Sequence, residues 1–266
     1  MMRTRETNYF GFMIRETTLT YHTSAKGAGV IRVLLTVALL LFATAASGQV
    51  LELRYEGFTV WLDCSKRGAI RFEYMATQDT GSLPRKSSFK LDPNVPAHCQ
   101  QISAKTYKHS GVRYDRGHMV PANHLDHSKT AIAQSNFMTN ILPQAANTNR
   151  GAWLLTEEVV ECYRDVGPLH VIGGVIWGND PSDDYFVGSH AVATPDAYWK
   201  VVVARNRVIA WVVPNRADAK RKKLDQYIVS LSRIETMIGE SLPITEALKQ
   251  IVPARSWILP RGCNKG

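Results

Sequence analysis

The sequence lacks several patterns that would mark other classes of protein. It has four cysteines in 266 residues and no C-x-x-C pair, which argues against a zinc ribbon or a thioredoxin-type site. It shows no internal repeat and, after residue 49, no low-complexity linker, which favours one domain. The apolar run at residues 33–43 is too short for an ordinary membrane span.

The N-terminus has the pattern of a cleavable signal peptide. Arg32 precedes the apolar run and small residues follow it at 43–48, although an uncleaved N-terminal anchor is the alternative. Translation that begins near Val30 would give a well-proportioned signal peptide. Residues 1–29 are therefore predicted to be an extension added by a mis-assigned translation start. We therefore predict a signal peptide within 1–48 and a single domain over 49–266. The expected location is periplasmic or extracellular, with the mitochondrion as the alternative and no stable membrane association after cleavage.

The charge of the chain suits a polyanionic partner. Formal net charge is +9 and the pI is about 9.4, as expected for a protein that binds nucleic acid or an anionic membrane, although many exported proteins are simply basic. All four cysteines follow residue 49, and an even number in an exported chain predicts two disulfides. Three pairings are open, and four buried free thiols are the alternative.

The order of predicted elements favours an α+β fold, because strands and helices do not alternate as regular βαβ units. A helical pattern begins at Asn149 and runs to about residue 164, with Asn147 and Thr148 as candidate caps. Ser232 has capping-box form and predicts a short helix that ends near Gly239. Residues 78–98 are predicted to form a loop. Strands are predicted at 70–74, 112–114, 137–142, 169–177 (a buried central strand), 198–204 and 208–213.

The residues Asp115-Arg116-Gly117-His118, followed by Asn149 and Glu157, fit a one-metal phosphodiesterase site. Histidine titrates near neutral pH and can take a proton from water. Mg²⁺ prefers oxygen ligands and keeps most of its waters, so a single amide can anchor it. Asn149 and Glu157 are eight residues apart on the predicted helix, about 12 Å along its axis and roughly 80° around it.

Three segments together resemble the DNA/RNA non-specific endonuclease family of the ββα-metal superfamily. They are Tyr-Asp-Arg-Gly-His-Met-Val-Pro at 114–121, Phe-Met-Thr-Asn-Ile-Leu-Pro-Gln at 137–144, and Asn-Arg-Gly-Ala-Trp at 149–153 with Glu157 downstream. The resemblance implies a ββα-metal fold with a mixed or antiparallel central sheet flanked by helices. It also implies hydrolysis of DNA and RNA to 5′-phosphate products.

The resemblance assigns a role to each residue. His118 matches the general base, Asn149 the direct ligand of Mg²⁺ (with Mn²⁺ as a substitute), and Glu157 the carboxylate that orients metal-bound water. Bacterial relatives carry an arginine where this chain has Glu161, and Arg164 is the candidate replacement. The remaining matches are Arg116 and Arg85 as phosphate contacts, Asn140 as a hydrogen-bonding support and Asp115 as a structural carboxylate that orients Arg116 or caps the turn.

Several alternatives stay open. A protein of this fold could bind nucleic acid without cleaving it, or could hydrolyse another phosphodiester. A homodimer is also compatible with the sequence. His118, His124 and His127 could form a zinc site, although exposed loop histidines are the expectation for the last two. His170 is expected to be a satisfied core histidine, and the basic run at 220–223 a solvated face or a nucleic-acid track.

Overall fold

The computed structural model describes residues 48–265, so the predicted signal peptide, apart from its last residue, lies outside the described residues. The described chain is built on a six-stranded sheet in which every neighbouring pair is antiparallel. In sheet order the strands are β1 (Val50–Tyr55), β2 (Phe58–Asp63), β3 (Gly68–Ala76), β6 (Leu169–Ile176), β7 (Ala197–Ala204) and β8 (Arg207–Pro214). This antiparallel sheet flanked by helices confirms the α+β prediction.

The central position of β6 explains its apolar sequence. It pairs with β3 along one edge and β7 along the other. Val171 on one face and Ile172 on the other each pack in a core cluster, so both faces are covered and the run shows little polar alternation. β7 and β8 form the predicted hairpin, and Arg205 in its turn adopts a φ of 51°. Residues 78–98 contain no helix or strand beyond a single bridge at Lys90, as predicted.

A second, two-stranded unit carries the sequence motifs. It pairs β4 (Tyr114–His118) with β5 (Ile141–Ala145) in antiparallel register. The motif forms strand β4 itself instead of following a strand at 112–114. The second strand begins later than predicted because Met138–Asn140 forms a 3-10 turn. In that turn the Asn140 side chain bonds to the backbone of Val120 at both N–H and C=O.

The predicted helix at 149–164 is present in two parts. Thr148–Trp153 forms a wide π-helical turn, and α2 (Leu154–Arg164) continues from it as a regular helix. Asn147 makes no side-chain cap hydrogen bond to this turn. The Thr148 hydroxyl instead donates to the carbonyls of Pro214 and Arg216, so the start of the helix is fixed by the loop after β8.

Apolar residues cover both faces of the large sheet. The main core fills the space between one sheet face and the β4–β5–α2 unit, with Trp153, Tyr198 and Trp211 fully buried. A second cluster packs α4 (Leu231–Ile238) on the opposite face. The N-cap of α4 is Ser230 and not the predicted Ser232, since the Ser230 side chain accepts from the Arg233 N–H. The remaining helices are α1 (Lys129–Ser135), α3 (Val187–His190) and α5 (Glu246–Lys249).

Two disulfides are present, as predicted. Cys64 pairs with Cys99 and Cys162 with Cys263. The first ties the turn between β2 and β3 to the loop that leads toward β4, and the second joins α2 to the C-terminal segment. Within residues 48–265, no helix is long and apolar enough to cross a bilayer.

Candidate active site

A cavity of about 710 Å³ opens beside the end of β4 and the start of α2. His118, Asn149 and Glu157 all line it, so residues from a strand, a π-helical turn and a helix meet at one place. The β4–β5 hairpin brings His118 to the cavity, and α2 crosses behind it. The Trp153 indole nitrogen donates to the His118 carbonyl at 3.3 Å, which ties the helix to the end of the strand.

His118 is held in one orientation and one protonation state. The Asn136 amide nitrogen donates to the carbonyls of Ile132 (2.8 Å) and Lys86 (3.3 Å), so its oxygen faces the His118 Nε2 at 3.3 Å. His118 Nε2 therefore carries the hydrogen, and Nδ1 keeps the lone pair. Burial lowers the pKa of His118 to about 4, assisted by the charge of Arg116 and opposed by the Asn136 hydrogen bond. The imidazole is neutral near pH 7 and can accept a proton.

Asn149 is oriented by the carboxylate of the motif. Its amide nitrogen donates to Asp115 Oδ2 at 3.0 Å, which leaves the amide oxygen available to a cation in the cavity. Arg150 donates to both Asp115 oxygens at 2.7 Å. Asp115 thus supports Asn149 and Arg150, whereas Arg116, the partner that the sequence suggested for it, donates to the Ala104 carbonyl.

Glu157 is a carboxylate in a poorly solvated position. Burial raises its pKa to about 7, and the positive charge of Lys200 acts in the opposite direction. Lys200 is fully buried on β7; its ammonium donates to Thr156 Oγ1 at 2.8 Å and lies 3.9 Å from the centre of the Trp153 ring. Burial lowers the pKa of Lys200 to about 8. A divalent cation in the cavity would stabilise the ionised form of Glu157.

The donor set fits a hard divalent cation. Asn149 offers an amide oxygen, and Glu157 offers a carboxylate whose negative charge Lys200 only partly offsets. Oxygen donors of this kind suit Mg²⁺ or Mn²⁺. Cysteine takes no part in it, since all four cysteines form disulfides. Asn149 would hold the ion directly, and Glu157 would bind its waters.

The other predicted residues occupy different surroundings. Arg85 lines the cavity. Arg116 lies outside its lining; its guanidinium donates to the Ala104 carbonyl at 2.9 Å and stacks on Phe89, the ring that also contacts His118. Arg164 is only 3% exposed and pairs with Asp79 and Glu161, so its charge does not face the cavity. Asn140 is fully buried and positions the chain after His118.

The histidine alternatives are corrected by the structure. His124 is buried, not exposed as expected: Tyr74 donates to its Nδ1 at 2.7 Å and its Nε2 donates to the Glu157 carbonyl. Burial keeps the pKa of His124 well below its usual range. His170 is bonded to Glu73 but is partly exposed, so it is not a core residue.

The zinc site suggested at His118, His124 and His127 does not form. Over residues 48–265, the one group of three close ligand atoms comes from Cys64, His98 and Cys99. Its two cysteines are joined in a disulfide. Neither place therefore supports a zinc site.

Two residues of this site were not predicted. Asn136 lies in a polar stretch with no pattern that distinguishes it from other turn asparagines. Lys200 carried a signal, because a lysine in the middle of a strand of valines and aromatics is rarely buried without a specific partner. The basic run does not form part of the cavity: Arg221 pairs with Glu158 and Lys223 with Asp218, while Lys220 and Lys222 are exposed.

Comparison with known proteins finds sequence similarity to nucleases. The mitochondrial nuclease EXOG of Mus musculus is 32% identical over 176 residues, which cover 60% of this chain and 47% of that one. The nuclease of Serratia marcescens is 26% identical over 196 residues, which cover 65% of this chain and 73% of that one. The chain thus spans about half the length of the EXOG relatives that it matches.

The fold is shared with a solved structure. The crystal structure of an EndoG/EndoGI complex contains a chain that superposes with a TM-score of 0.61 at 21% identity, over 73% of this chain and 86% of that one. At the level of the family, the model described as DNA/RNA non-specific endonuclease matches residues 39–249. The chain belongs to the DNA/RNA non-specific endonuclease family.

Proposed function

We propose that this protein is an exported, Mg²⁺-dependent endonuclease that hydrolyses phosphodiester bonds of DNA and RNA and leaves 5′-phosphates. The observation that carries the proposal is the meeting of a neutral His118, an oriented Asn149 amide and the Glu157 carboxylate on one cavity. Family membership supports the nuclease activity. Export rests on the signal-peptide pattern before residue 49.

In the proposed mechanism His118 Nδ1 takes a proton from the attacking water while Asn136 holds the ring through Nε2. Asp115 holds the Asn149 amide so that its oxygen points into the cavity. When bound, the divalent cation supplies charge neutralisation at the phosphoryl oxygens and the departing 3′ oxygen. Glu157 accepts hydrogen bonds from the water near it.

Substrate contacts are expected to be mainly to phosphates. Arg85 lies on the cavity wall and can meet a phosphate directly. Arg116 lies one ring away from the base: its guanidinium stacks on Phe89, and the Phe89 ring contacts His118. The positive charge of Arg116 also favours the neutral form of His118. Contacts of this kind give salt-sensitive binding with little sequence preference.

The test is cleavage of supercoiled DNA, single-stranded DNA and RNA by the 49–266 chain with Mg²⁺. His118→Ala should lower the rate ~10²–10⁴-fold, the usual cost of losing a general base, and Asn149→Ala should remove the stimulation by metal. His127→Ala, which changes an exposed histidine in the same segment, is the matched control. Wild-type rates for both active-site variants would refute the proposal.

A further inference from the structure

The last ten described residues, 256–265, form a strap along α2. Trp257 is buried, and its ring lies 5.0 Å from that of Tyr163. The Tyr163 hydroxyl donates to the Ile258 carbonyl at 2.9 Å. The Cys162–Cys263 disulfide then fixes the strap covalently to the helix. These anchors lie in the C-terminal half of α2, and neither Cys162 nor Tyr163 lines the cavity.

Beyond the disulfide the strap reaches the catalytic cavity. Asn264 and Lys265 line it together with the residues of the proposed mechanism. The Lys265 ammonium lies 3.3 Å from Glu158, which lines the cavity about one helical turn before Cys162 on α2. The Asn123 amide donates to the Lys265 carbonyl at 3.5 Å. The strap therefore spans from α2 to the turn that follows β4 and forms one wall of the cavity.

The charges around the cavity make this wall important. Five carboxylates line it, from Asp79, Asp126, Glu157, Glu158 and Glu161, but its lining holds only two basic side chains, Arg85 and Lys265. Arg164 pairs with Asp79 and Glu161 and Arg221 pairs with Glu158, so few cationic groups of the cavity are left to meet a polyanion. Cationic groups at the wall are therefore the protein's own means of receiving a phosphate.

Lys265 is not the sole charged partner of Glu158. Glu158 is also bound by both terminal nitrogens of Arg221, and those contacts lower the pKa of Glu158 more than any other contribution. Glu158 would therefore remain paired if Lys265 moved to a phosphate. The Lys265 side chain is 49% exposed, so a phosphate in the cavity can reach its ammonium without a rearrangement of the core.

We propose that Lys265 is a substrate-contacting residue, presented to a backbone phosphate of the nucleic acid by a strap that the Cys162–Cys263 disulfide holds in place. This inference rests on the proposed function. Because the contact is to a phosphate beside the reacting one, it acts on binding and not on the chemical step. The strap and its disulfide thus belong to the binding surface as well as to the fold.

The first experiment compares Lys265→Gln with Lys66→Gln, which removes the same charge from an exposed turn between β2 and β3. KM for single-stranded DNA should rise about 2- to 5-fold for Lys265→Gln, the effect of losing one exposed ionic contact, with kcat unchanged. In a His118→Ala background, the slope of log Kd for an oligonucleotide against log salt should fall by about one. Lys66→Gln should alter neither quantity.

The second experiment releases the strap. The double variant Cys162→Ser/Cys263→Ser should show the KM increase of Lys265→Gln, while Cys64→Ser/Cys99→Ser, which removes the other disulfide, should not. Thermal melting of each variant reports whether it is folded. Lys265→Gln leaves both disulfides in place, so it tests the contact even if a cysteine variant does not fold.

The outcomes separate this inference from the proposed function. If wild type cleaves nucleic acid and Lys265→Gln behaves like Lys66→Gln, the inference is wrong and the nuclease assignment stands. A fall in KM on release of the strap would also overturn it, because the strap would then obstruct the cavity. If wild type cleaves nothing, the proposed function fails, and the binding measurement still decides whether Lys265 contacts nucleic acid.

Discussion

At the scale of single residues, the site depends on side chains that fix other side chains. His118 is set by Asn136, and Asn149 by Asp115. In both cases a neighbour determines which atom faces the cavity. Residues that touch neither metal nor substrate should therefore have measurable effects on binding and turnover.

Asp115→Ala removes the acceptor that orients the Asn149 amide. We expect affinity for Mg²⁺ or Mn²⁺ to fall ~10–100-fold, the usual effect of removing a partner of a metal ligand. Titration calorimetry with Mn²⁺ measures it directly. Arg150→Gln, which removes the other main partner of Asp115, is the comparison and should have a smaller effect. Equal affinities in wild type and Asp115→Ala would contradict the assigned role.

Glu157 should make the metal-free protein less stable as pH rises. Its pKa is raised from 4.5 to about 7 by burial, so the folded state favours the protonated carboxyl. Stability from this group is full below about pH 4.5 and is lost progressively up to about pH 7. Glu157→Gln should remove this loss, as measured by chemical denaturation in a chelator between pH 5 and 8. If the free energy of unfolding changed with pH in the same way for wild type and Glu157→Gln, the prediction would be refuted.

The contribution of His118 to stability depends on pH in the opposite sense, over a range that overlaps that of Glu157. Its pKa is lowered from 6.5 to about 4 by burial, so the unfolded chain binds the proton more readily. Its contribution is complete above about pH 6.5 and is lost as pH falls to about 4. Between about pH 4.5 and 6.5 the two residues oppose each other. Over this range the free energy of unfolding of the wild-type protein should therefore change less with pH than that of Glu157→Gln or of His118→Ala.

At the scale of elements, the β4–β5 hairpin is the part whose packing controls the site. Gly117 lies against Gln144 of β5: a Cβ at position 117 would be 2.5 Å from the Gln144 Cβ. The Gln144 side chain fits beside β4 because this position has no side chain. His118 follows immediately, so a shift of β4 changes the position of the proposed base.

Gly117→Ala should therefore lower both stability and activity. Overpacking of this kind costs about 1–3 kcal/mol, and the Tm should fall by several degrees. Gly188→Ala is the matched control, since nothing lies within 4 Å of a Cβ there. Differential scanning calorimetry and cleavage assays on both variants measure the difference. An unchanged Tm for Gly117→Ala would show that the strands adjust without cost.

Local patterns predicted the elements well but not their fine geometry. The buried run of β6 and the β7–β8 hairpin were predictable because their sequences have β-type composition and clear limits. The π-helical turn at Asn149 was not, because it depends on Thr148 contacts with a loop more than sixty residues away. The start of β5 was shifted by the Asn140 contacts for the same reason.

At the scale of the whole molecule, two disulfides close loops of different length. Cys64–Cys99 spans 35 residues and Cys162–Cys263 spans 101. By loop entropy they should contribute about 4 and about 5 kcal/mol. Alanine replacement of each pair, followed by urea denaturation, should show the larger loss for Cys162/Cys263. A larger loss for the other pair would show that local packing outweighs loop length.

The whole site could be predicted only in part from the sequence. Spacing and family resemblance put His118, Asn149 and Glu157 together, and the structure places all three on one cavity. Lys200 stood out only as a lysine within a strand, with no sign of its partner Thr156, and Lys265 comes from a terminal segment far along the chain. The disulfide pairing, which brings Lys265 to the cavity, also follows from tertiary structure alone.

The carboxylates that line the cavity impose a sequence of events on the protein. Asp79, Glu158 and Glu161 are paired with Arg164 or Arg221, which leaves Glu157 and Asp126 to favour a cation over a phosphate in the cavity. A divalent ion should therefore enter first and the nucleic acid second. On the proposed function, a medium in which free divalent ions are scarce would leave nucleic acid uncut at this site, and ion supply would decide when and where the protein works.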